Sequence, residues 1–287
     1  MLSSSGSLVK VACLIVTYNP DIKLLENVID SVSVQINKIV IVDNNSTNQQ
    51  EIHSLIVVYP ANEFIFIEND QNYGTAKAMN QGVEYLRTRD IEWILFLDQD
   101  SVPSKSYIST LFGKIFEGYR GDPRKVMAIR SSETYTNSPV DNDFTASIRE
   151  IKSSIMSGSV VRMNVFRDIK FREYLFMDFV DTNFYYELRK MGGIYLLYDF
   201  PLLEHRIGSQ IIIFGKKMNY ENPKRVYYMI RNSTVLTLEG RGGLKLIFVG
   251  YSPLLLIAIK NGLRVALLTL LKALKDSLFG PGSDTTL

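Results

Sequence analysis

Two aspartates one residue apart follow an apolar run at residues 94–101, which read ILFLDQDS. The carboxylates of Asp98 and Asp100 repel each other unless a positive group lies close to both. The simpler interpretation is a strand end whose acids are solvated in a loop. The alternative is a divalent cation site that serves a phosphorylated ligand, because Mg²⁺ and Mn²⁺ prefer oxygen ligands and keep positions open for phosphate oxygens.

Two earlier apolar runs also end in polar residues that suit a nucleotide. The first run ends at Thr17, Tyr18 and Asn19, and the second ends at Asp43. The three side chains after the first run can enclose and hydrogen-bond a pyrimidine, and Asp43 can accept a hydrogen bond from the base or the ribose. Each signal alone is weak, but all three in this order predict a nucleotide diphosphate site.

These residues need a scaffold, and the alternation of apolar runs and helical segments predicts one. Runs rich in Val and Ile lie at 11–16, 39–42, 64–67, 93–97 and 126–129. Helical periodicity covers 22–34, 49–58, 75–89 and 104–118. Continuous apolar strands that alternate with helices indicate an α/β fold, a mostly parallel Rossmann-like sheet with helices on both faces. Ligands bind at the carboxyl ends of such strands, so the three polar ends should share one edge.

The chain is less regular after residue 130. Residues 131–145 are polar and predict a loop, and 156–166 predict a strand that enters a helix. A short helix is expected at 183–193, followed by a strand at 194–200.

The region from residue 243 is apolar and basic. Its run 246–259 carries no charge, but these fourteen residues fall short of the roughly 20 needed to cross a bilayer. A helical wheel of the following segment places basic residues on one half and leucines on the other: Lys260, Arg264, Lys272 and Lys275 against Leu263, Leu267, Leu270, Leu274 and Leu278. This pattern predicts a helix in a membrane interface, the alternative being a helix packed on the body.

Charge is distributed unevenly over the 287 residues, although the net charge is only +2. Residues 1–200 contain 20 Lys and Arg against 25 Asp and Glu, whereas 201–287 contain 12 against 5. The basic C-terminal region favours contact with an anionic surface. The single cysteine, Cys13, excludes a disulfide framework and a zinc site and fits a reducing compartment, so we expect the body in the cytosol.

Several motifs of this sequence resemble those of a known enzyme family. TYNP (17–20), IVDNNS (41–46), NYGTAKAMNQGV (72–83) and LFLDQDS (95–101) are similar to those of the inverting GT-A glycosyltransferases of family 2. FMDFVDTNF (176–184), EHRIGS (204–209) and YYMIRN (227–232) resemble its bacterial rhamnosyltransferase branch. The resemblance extends over nearly the whole chain, including the amphipathic C-terminal region.

The resemblance implies roles for the residues at the strand ends. Asp43 would bind the nucleoside, with the Thr17–Asn19 loop beside it. Asp98 and Asp100 would hold the metal and the diphosphate, with Asp100 as a direct ligand. His205 would approach the metal or the diphosphate, the alternative being a histidine with a structural role.

Further residues would contact the donor or the acceptor. Asn72, Gly74 and Lys77 would form the donor-side loop and helix, where Gly74 lets the backbone approach the ligand and Lys77 faces a phosphate. The alternative for Lys77 is a solvated helix residue. Arg206 and Arg231 are candidates to face the diphosphate or an acceptor phosphate.

Asp181 is the candidate general base. Inversion requires a carboxylate to take the proton from the acceptor hydroxyl as its oxygen attacks. The family usually has a Glu-Asp pair at this position, whereas this chain has Val180 before Asp181, with Asp178 three residues back, and Asn183 where many relatives have an acid. The structural alternative for Asp181 is an N-cap of the predicted helix.

The expected function is transfer of L-rhamnose from dTDP-β-L-rhamnose to a lipid-linked cell-surface glycan, with Mg²⁺ or Mn²⁺ as cofactor. We expect a catalytic domain over 1–242, divided at residue 130 into donor and acceptor halves, and a membrane-associating tail over 243–287. The partners would be the nucleotide-sugar, the glycan acceptor and an anionic membrane surface, without nucleic acid, at the cytoplasmic face of a bacterial cell membrane.

Three other functions fit parts of the pattern. A donor linked to UDP would keep the fold and the mechanism. A phosphatase or phosphotransferase would place its DxD after the first strand of its core, whereas here it closes the fourth. A non-catalytic glycan-binding protein would not need Asp98, Asp100 and Asp181 together.

Overall fold

The computed structural model describes residues 9–135, 146–205, 210–213 and 216–280. The chain forms two compact units. Unit 1 consists of Met1–Phe171 and Phe184–Arg206, and unit 2 of Arg172–Asn183 and Ile207–Leu287. The predicted functional boundaries at residues 130 and 242 stay predictions.

The first half of unit 1 has the predicted alternation of strands and helices. Its elements are β1 (Val11–Thr17), α1 (Ile22–Ser33), β2 (Lys38–Asp43), α2 (Gln49–Val57), β3 (Glu63–Glu68), α3 (Gly74–Arg87) and β4 (Trp93–Asp98). The strands pair in parallel in the order β3-β2-β1-β4, which confirms the expected α/β fold.

Helices cover both faces of these strands, which explains their continuous apolar sequences. Cys13 and Ile15 of β1 face the core formed with α1, α2 and α4 (Tyr107–Gly118). On the opposite face α3 lies close to Leu14 because Gly82 has no side chain, and a Cβ there would lie 1.6 Å from Leu14 Cδ1. Burial raises the pKa of the Cys13 thiol, so this cysteine stays neutral.

The second half of unit 1 adds antiparallel strands to the sheet, which is therefore mixed. Its other elements are β5 (Ser101–Pro103), β6 (Val126–Tyr135), β7 (Ser147–Glu150), β8 (Val160–Arg162), α5 (Val180–Lys190), whose first turn belongs to unit 2, and β9 (Ile194–His205). β8 runs antiparallel between β4 and β6, because it returns beside β4 in the opposite direction. β9 pairs in parallel with β6 and antiparallel with β5 and β7.

Three local expectations need correction. β6 continues to Tyr135 where a loop was predicted, and the rest of that loop, 136–145, lies outside the described residues. The strand predicted at 194–200 extends to His205, since both β6 and β5 pair with its second half. The helix predicted at 183–193 begins earlier, at Val180.

Unit 2 is mainly helical. Its elements are β10 (Gln210–Ile213), β11 (Lys216–Asn219), α6 (Pro223–Leu238), α7 (Leu244–Tyr251), α8 (Leu254–Asn261) and α9 (Leu263–Phe279). Asn222 caps α6 by accepting the Arg225 N–H at 2.9 Å. A small core forms where α6 meets the later helices, around Ile230, Ile257 and Ala273.

The C-terminal helices leave much of their apolar surface exposed. α9 packs through Ala266, Thr269 and Ala273, which are buried, while Leu267 and Leu271 are 52% and 55% exposed. Lys260 does not share this helix, because α8 ends at Asn261 and is followed by Gly262, which has a φ of 91°.

One segment among the described residues, Leu244–Asn261, is long and apolar enough to cross a membrane by length and composition, with a mean hydropathy of 1.4. It extends the fourteen-residue apolar run to include Lys245 and Lys260, and it is divided between α7 and α8. Core helices of soluble proteins meet the same criterion, so the segment alone does not establish a membrane span.

Candidate active site

The three polar strand ends lie along one edge of the sheet, as predicted. In the parallel ladder, Thr17 of β1 is level with Asp43 of β2, and Val16 of β1 is level with Asp98 of β4. The edge therefore follows from the register of three adjacent strands.

Asp98, Asp100 and His205 form a cluster at this edge. Their potential ligand atoms all lie within 4.8 Å of one another, and this is the one such group of three or more among the described residues. β5 pairs Ser101 directly with His205 of β9, which brings the histidine beside the DQD turn. Ser101 Oγ lies 2.7 Å from His205 Nδ1, so this hydrogen bond fixes the ring and leaves Nε2 as the nitrogen that could bind a cation.

The chemistry of this cluster fits a divalent cation. Two carboxylates within a few ångströms repel each other, and a cation between them removes that repulsion. Carboxylate oxygens with one imidazole nitrogen form a donor set that suits Mn²⁺ and is compatible with Mg²⁺. The Asp98 N–H donates to Ser157 Oγ at 2.9 Å, which fixes the backbone at the first acid.

Asp43 is buried and hydrogen-bonded on both carboxylate oxygens. It accepts from Thr17 Oγ1 at 2.7 Å, from Ser46 N–H at 2.7 Å, from Gln49 Nε2 at 2.9 Å and from the Ser46 hydroxyl. A carboxylate offers about four acceptor positions, so these donors fill them. The predicted contact of Asp43 with a nucleoside therefore requires one of these donors to move aside.

The loop after β1 is tied to the DQD turn. Tyr18 N–H donates to Gln99 Oε1 at 2.8 Å, and Gln99 Nε2 donates to the Tyr18 carbonyl at 3.3 Å. The Tyr18 side chain is 49% exposed, so its ring is accessible to a base. Asn19 adopts a left-handed conformation with a φ of 47°, and its Oδ1 accepts from Thr47 N–H at 2.8 Å. The contacts with Gln99 and with Thr47 thus hold the predicted nucleotide loop in place.

The donor-side residues lie at the start of α3. Gly74 has a φ of 82°, which favours glycine, and its N–H donates to Asn72 Oδ1 at 2.9 Å. Asn44 Nδ2 donates to the Gly74 carbonyl at 3.3 Å and so joins this turn to the end of β2. Lys77 Nζ lies 3.5 Å from the centroid of the Tyr73 ring, a cation–π contact that holds the ammonium group.

Sequence reasoning missed the residues that support the site. Ser101 orients His205. Gln99 joins the DQD turn to the loop after β1, and Asn44 joins the end of β2 to the turn at the start of α3. The available signal was their position inside or beside the motifs, because polar residues at strand ends hydrogen-bond neighbouring turns.

Asp181 lies in unit 2, in the first turn of α5. The helix begins at Val180, so Asp181 is the acidic residue of its first turn and is not its N-cap. Its Oδ1 accepts from the Thr182 N–H at 2.7 Å, and the side chain is half-buried. Asn183 is buried, and its Oδ1 accepts from Arg241 at 3.1 Å.

The structure describes only one of the two arginines that were predicted to face a phosphate. Arg231 is 3% exposed, and its guanidinium donates to the Tyr174 carbonyl and, at 3.0 Å, to Asn232 Oδ1. Contact with a phosphate would require this side chain to leave those bonds. Arg206 lies outside the described residues.

Comparison with known proteins gives relatives in sequence and in structure. The model of glycosyl transferase family 2 matches residues 12–168. The chain is 30% identical over 243 residues to the dTDP-rhamnosyl transferase RfbF of Shigella flexneri, which is 79% of each chain.

Two solved structures with bound nucleotide-sugars are similar in fold. TarS 1-349 of S. aureus in complex with UDP-GlcNAc superposes with a TM-score of 0.61 and 15% identity over 96% of this chain and 82% of that one. The mannosyltransferase PcManGT of Pyrobaculum calidifontis, in complex with GDP-Man and Mn²⁺, has a TM-score of 0.57 and 14% identity over 94% and 87%. Identities this low show a shared fold, the GT-A-like α/β fold. With the family model matching more than half of its length, the chain belongs to glycosyl transferase family 2 and is a glycosyltransferase.

Proposed function

We propose that the chain transfers L-rhamnose from dTDP-β-L-rhamnose to a hydroxyl group of a cell-surface glycan, with inversion at the anomeric carbon. The observation that carries the proposal is the cluster of Asp98, Asp100 and His205 beside the loop of Tyr18, whose exposed ring suits a pyrimidine. The relationship to the Shigella flexneri dTDP-rhamnosyl transferase supports the choice of sugar and nucleotide.

The cofactor of this proposal is a divalent cation, Mn²⁺ or Mg²⁺, held by Asp98, Asp100 and His205. When bound, such an ion offsets the negative charge that builds up on the departing diphosphate. The two carboxylates provide the hard oxygen ligands, and Ser101 keeps the His205 ring in the orientation that offers Nε2.

Asp181 acts as the general base in the proposed reaction. The acceptor oxygen forms a bond to the anomeric carbon of rhamnose while the bond from that carbon to the diphosphate oxygen breaks. Asp181 takes the proton of the acceptor hydroxyl, and dTDP leaves with the bonding electron pair. A single displacement of this kind inverts the anomeric configuration.

The acceptor is proposed to be lipid-linked, and the enzyme to bind the cytoplasmic face of a bacterial cell membrane. The exposed leucines of α9, including Leu267 and Leu271, are the apolar surface that supports this location. Arg264 and Lys275 are exposed on the same helix and supply positive charge for anionic lipids.

Calorimetric titration of dTDP and UDP nucleotides, with and without Mn²⁺, tests the proposed function on the wild-type protein and on Asp100→Ala. We expect binding that depends on the metal, prefers dTDP and is lost in Asp100→Ala. Asp90→Ala is the matched control, because Asp90 is an exposed aspartate paired with Lys10.

Each other outcome has a definite meaning. A preference for UDP keeps the fold and the mechanism and removes rhamnose as the sugar. Binding of no nucleotide under any of these conditions contradicts the transferase proposal and favours a glycan-binding protein. Tight binding by Asp100→Ala contradicts the metal-ligand role of Asp100.

A further inference from the structure

The segment that leads into α5 has an unusual backbone. Phe176 has φ 62° and ψ −65°, and the Met177 N–H donates to the Leu175 carbonyl at 2.7 Å, which together define a strained γ-turn. Asp178 and Phe179 follow with φ values of 55° and 60°. Residues other than glycine rarely adopt left-handed conformations of this kind, because the Cβ is crowded there, so the surroundings must impose them.

Asn232 of α6 is the main group that holds this segment. Its side chain is fully buried, and Nδ2 lies 2.8, 2.7 and 3.0 Å from the carbonyl oxygens of Leu175, Met177 and Asp178. Its Oδ1 accepts from Arg231 Nε at 3.0 Å, which fixes the orientation of the amide. The Asn232 side chain thus binds three of the four carbonyl groups of residues 175–178.

Two further contacts hold the side chains of the segment. Arg225 donates to the Asp178 carboxylate at 3.0 to 3.3 Å and to Glu221 at 2.9 Å. Burial lowers the pKa of Arg225, but the two carboxylates outweigh that effect and raise it, so the guanidinium stays protonated. The Phe176 ring stacks on Tyr228 with centroids 4.8 Å apart and planes 12° apart.

We propose that Asn232 and Arg225 are positioning residues for Asp181. Asp181 comes two residues after the left-handed Phe179, so the direction in which α5 begins fixes where its carboxylate lies. The side chains of α6 fix that direction by imposing the conformation of 176–179. The inference rests on the proposed role of Asp181 as the base.

Kinetics of Asn232→Ala test this role. Displacement of a reacting group by about 1 Å costs on the order of 100-fold in rate, so we expect kcat to fall about 100-fold with the KM of the nucleotide-sugar unchanged. Because Asn232 acts through Asp181, the double variant Asp181→Asn with Asn232→Ala should be no slower than Asp181→Asn alone. A general loss of structure would instead add to the loss in the double variant.

A second pair of variants keeps the test decisive if Asn232→Ala does not fold. Arg225→Gln removes the ion pair with Asp178 from a side chain that is 42% exposed, and we expect kcat to fall about 10-fold. Arg225→Lys should restore part of that loss. Asn261→Ala is the control, since Asn261 bonds to Tyr220 elsewhere in unit 2, and its activity should equal that of the wild type.

The outcomes separate this inference from the proposed function. An unchanged kcat in folded Asn232→Ala and Arg225→Gln, with Asp181→Asn inactive, overturns the positioning role and leaves the function standing. An active Asp181→Asn instead removes Asp181 as the base and the inference with it, while nucleotide binding in unit 1 is unaffected.

Discussion

The two units use left-handed backbone in different ways. Among the described residues of unit 1, the non-glycine residues with positive φ are Asn19 and Asn45, and asparagine tolerates this conformation because its short side chain hydrogen-bonds locally. In the described part of unit 2 they are Phe176, Asp178 and Phe179, and the two phenylalanines have no polar side chain that could hydrogen-bond locally. The local sequence therefore supports the loops of unit 1, whereas the segment before α5 depends on groups from α6.

This difference separates two ways of positioning a candidate functional residue. Asp98 and His205 lie where strand pairing places them, and their positions follow from the register of β4, β5 and β9. The position of Asp181 follows from a buried amide in another helix, Asn232. We expect single substitutions to weaken ligand binding in unit 1 and to lower the rate of catalysis in unit 2.

The proposed membrane binding gives the largest expected contrast between the units. In unit 2, Leu267 and Leu271 are exposed on α9, and burial of each leucine in lipid contributes roughly 1.5–3 kcal/mol. Leu267→Ser combined with Leu271→Ser should therefore lower partitioning onto vesicles with anionic lipid by about 100-fold. Co-sedimentation with such vesicles measures the effect.

A matched pair in unit 1 provides the control for this prediction. Val57 and Val58 at the end of α2 are 75% and 65% exposed, and their replacement by serine should leave partitioning unchanged. Equal losses of partitioning in both double variants would mean that any exposed apolar surface promotes vesicle binding, whichever unit it belongs to. Unchanged partitioning in the leucine variant would contradict the proposed role of α9.

The face of α9 that packs could not be predicted from its sequence. The helical wheel separates leucines from basic residues, but it wrongly includes Lys260 in the helix, and it assigns no partner to either half. α6 instead receives the small residues Ala266 and Ala273, and Asp276 is buried where it accepts from the Tyr227 hydroxyl at 2.7 Å. Burial, with the Asp276 bond as a second cause, raises the pKa of Tyr227 to about 12, so this tyrosine remains a donor.

The strands of unit 1 show the opposite case. Continuous runs such as those of β1 and β4 predict buried parallel strands, and parallel neighbours align their carboxyl ends, so the sequence alone places Asp43 and Asp98 on one edge. The short strands β5 and β8 carry too few residues for a periodic pattern. The pairing of Ser101 with His205 therefore could not be foreseen.

Substitutions of His205 and Ser101 test whether the pairing of β5 with β9 contributes to cation binding. His205→Ala removes one of three ligands, and we expect the Mn²⁺ concentration for half-maximal activity to rise about 100-fold. Ser101→Ala leaves the ligands in place but frees the ring, so a rise of about 10-fold is expected, at the low end of such effects. Titration of Mn²⁺ in a transfer assay measures both.

Ser109→Ala is the control for the serine variant, because the Ser109 hydroxyl bonds to Ser106 on the exposed face of α4. Its Mn²⁺ requirement should equal that of the wild type. Equal Mn²⁺ requirements in wild type and His205→Ala would restrict the cation site to the two carboxylates.

Gln99 offers the smallest and most direct test of the contrast between the units. Its side chain forms two hydrogen bonds to the Tyr18 backbone, and Gln99→Ala removes both. The loop after β1 remains attached to β1 and to Thr47, so only part of its order is lost, and we expect the KM of the nucleotide-sugar to rise about 10-fold with kcat nearly unchanged. Steady-state kinetics against Gln50→Ala, an exposed glutamine on α2, measure this change. A fall in kcat as large as that of Asn232→Ala would mean that both units position their functional residues through single side chains. The proposed difference between positioning by strand register in unit 1 and positioning by the Asn232 side chain in unit 2 would then be wrong.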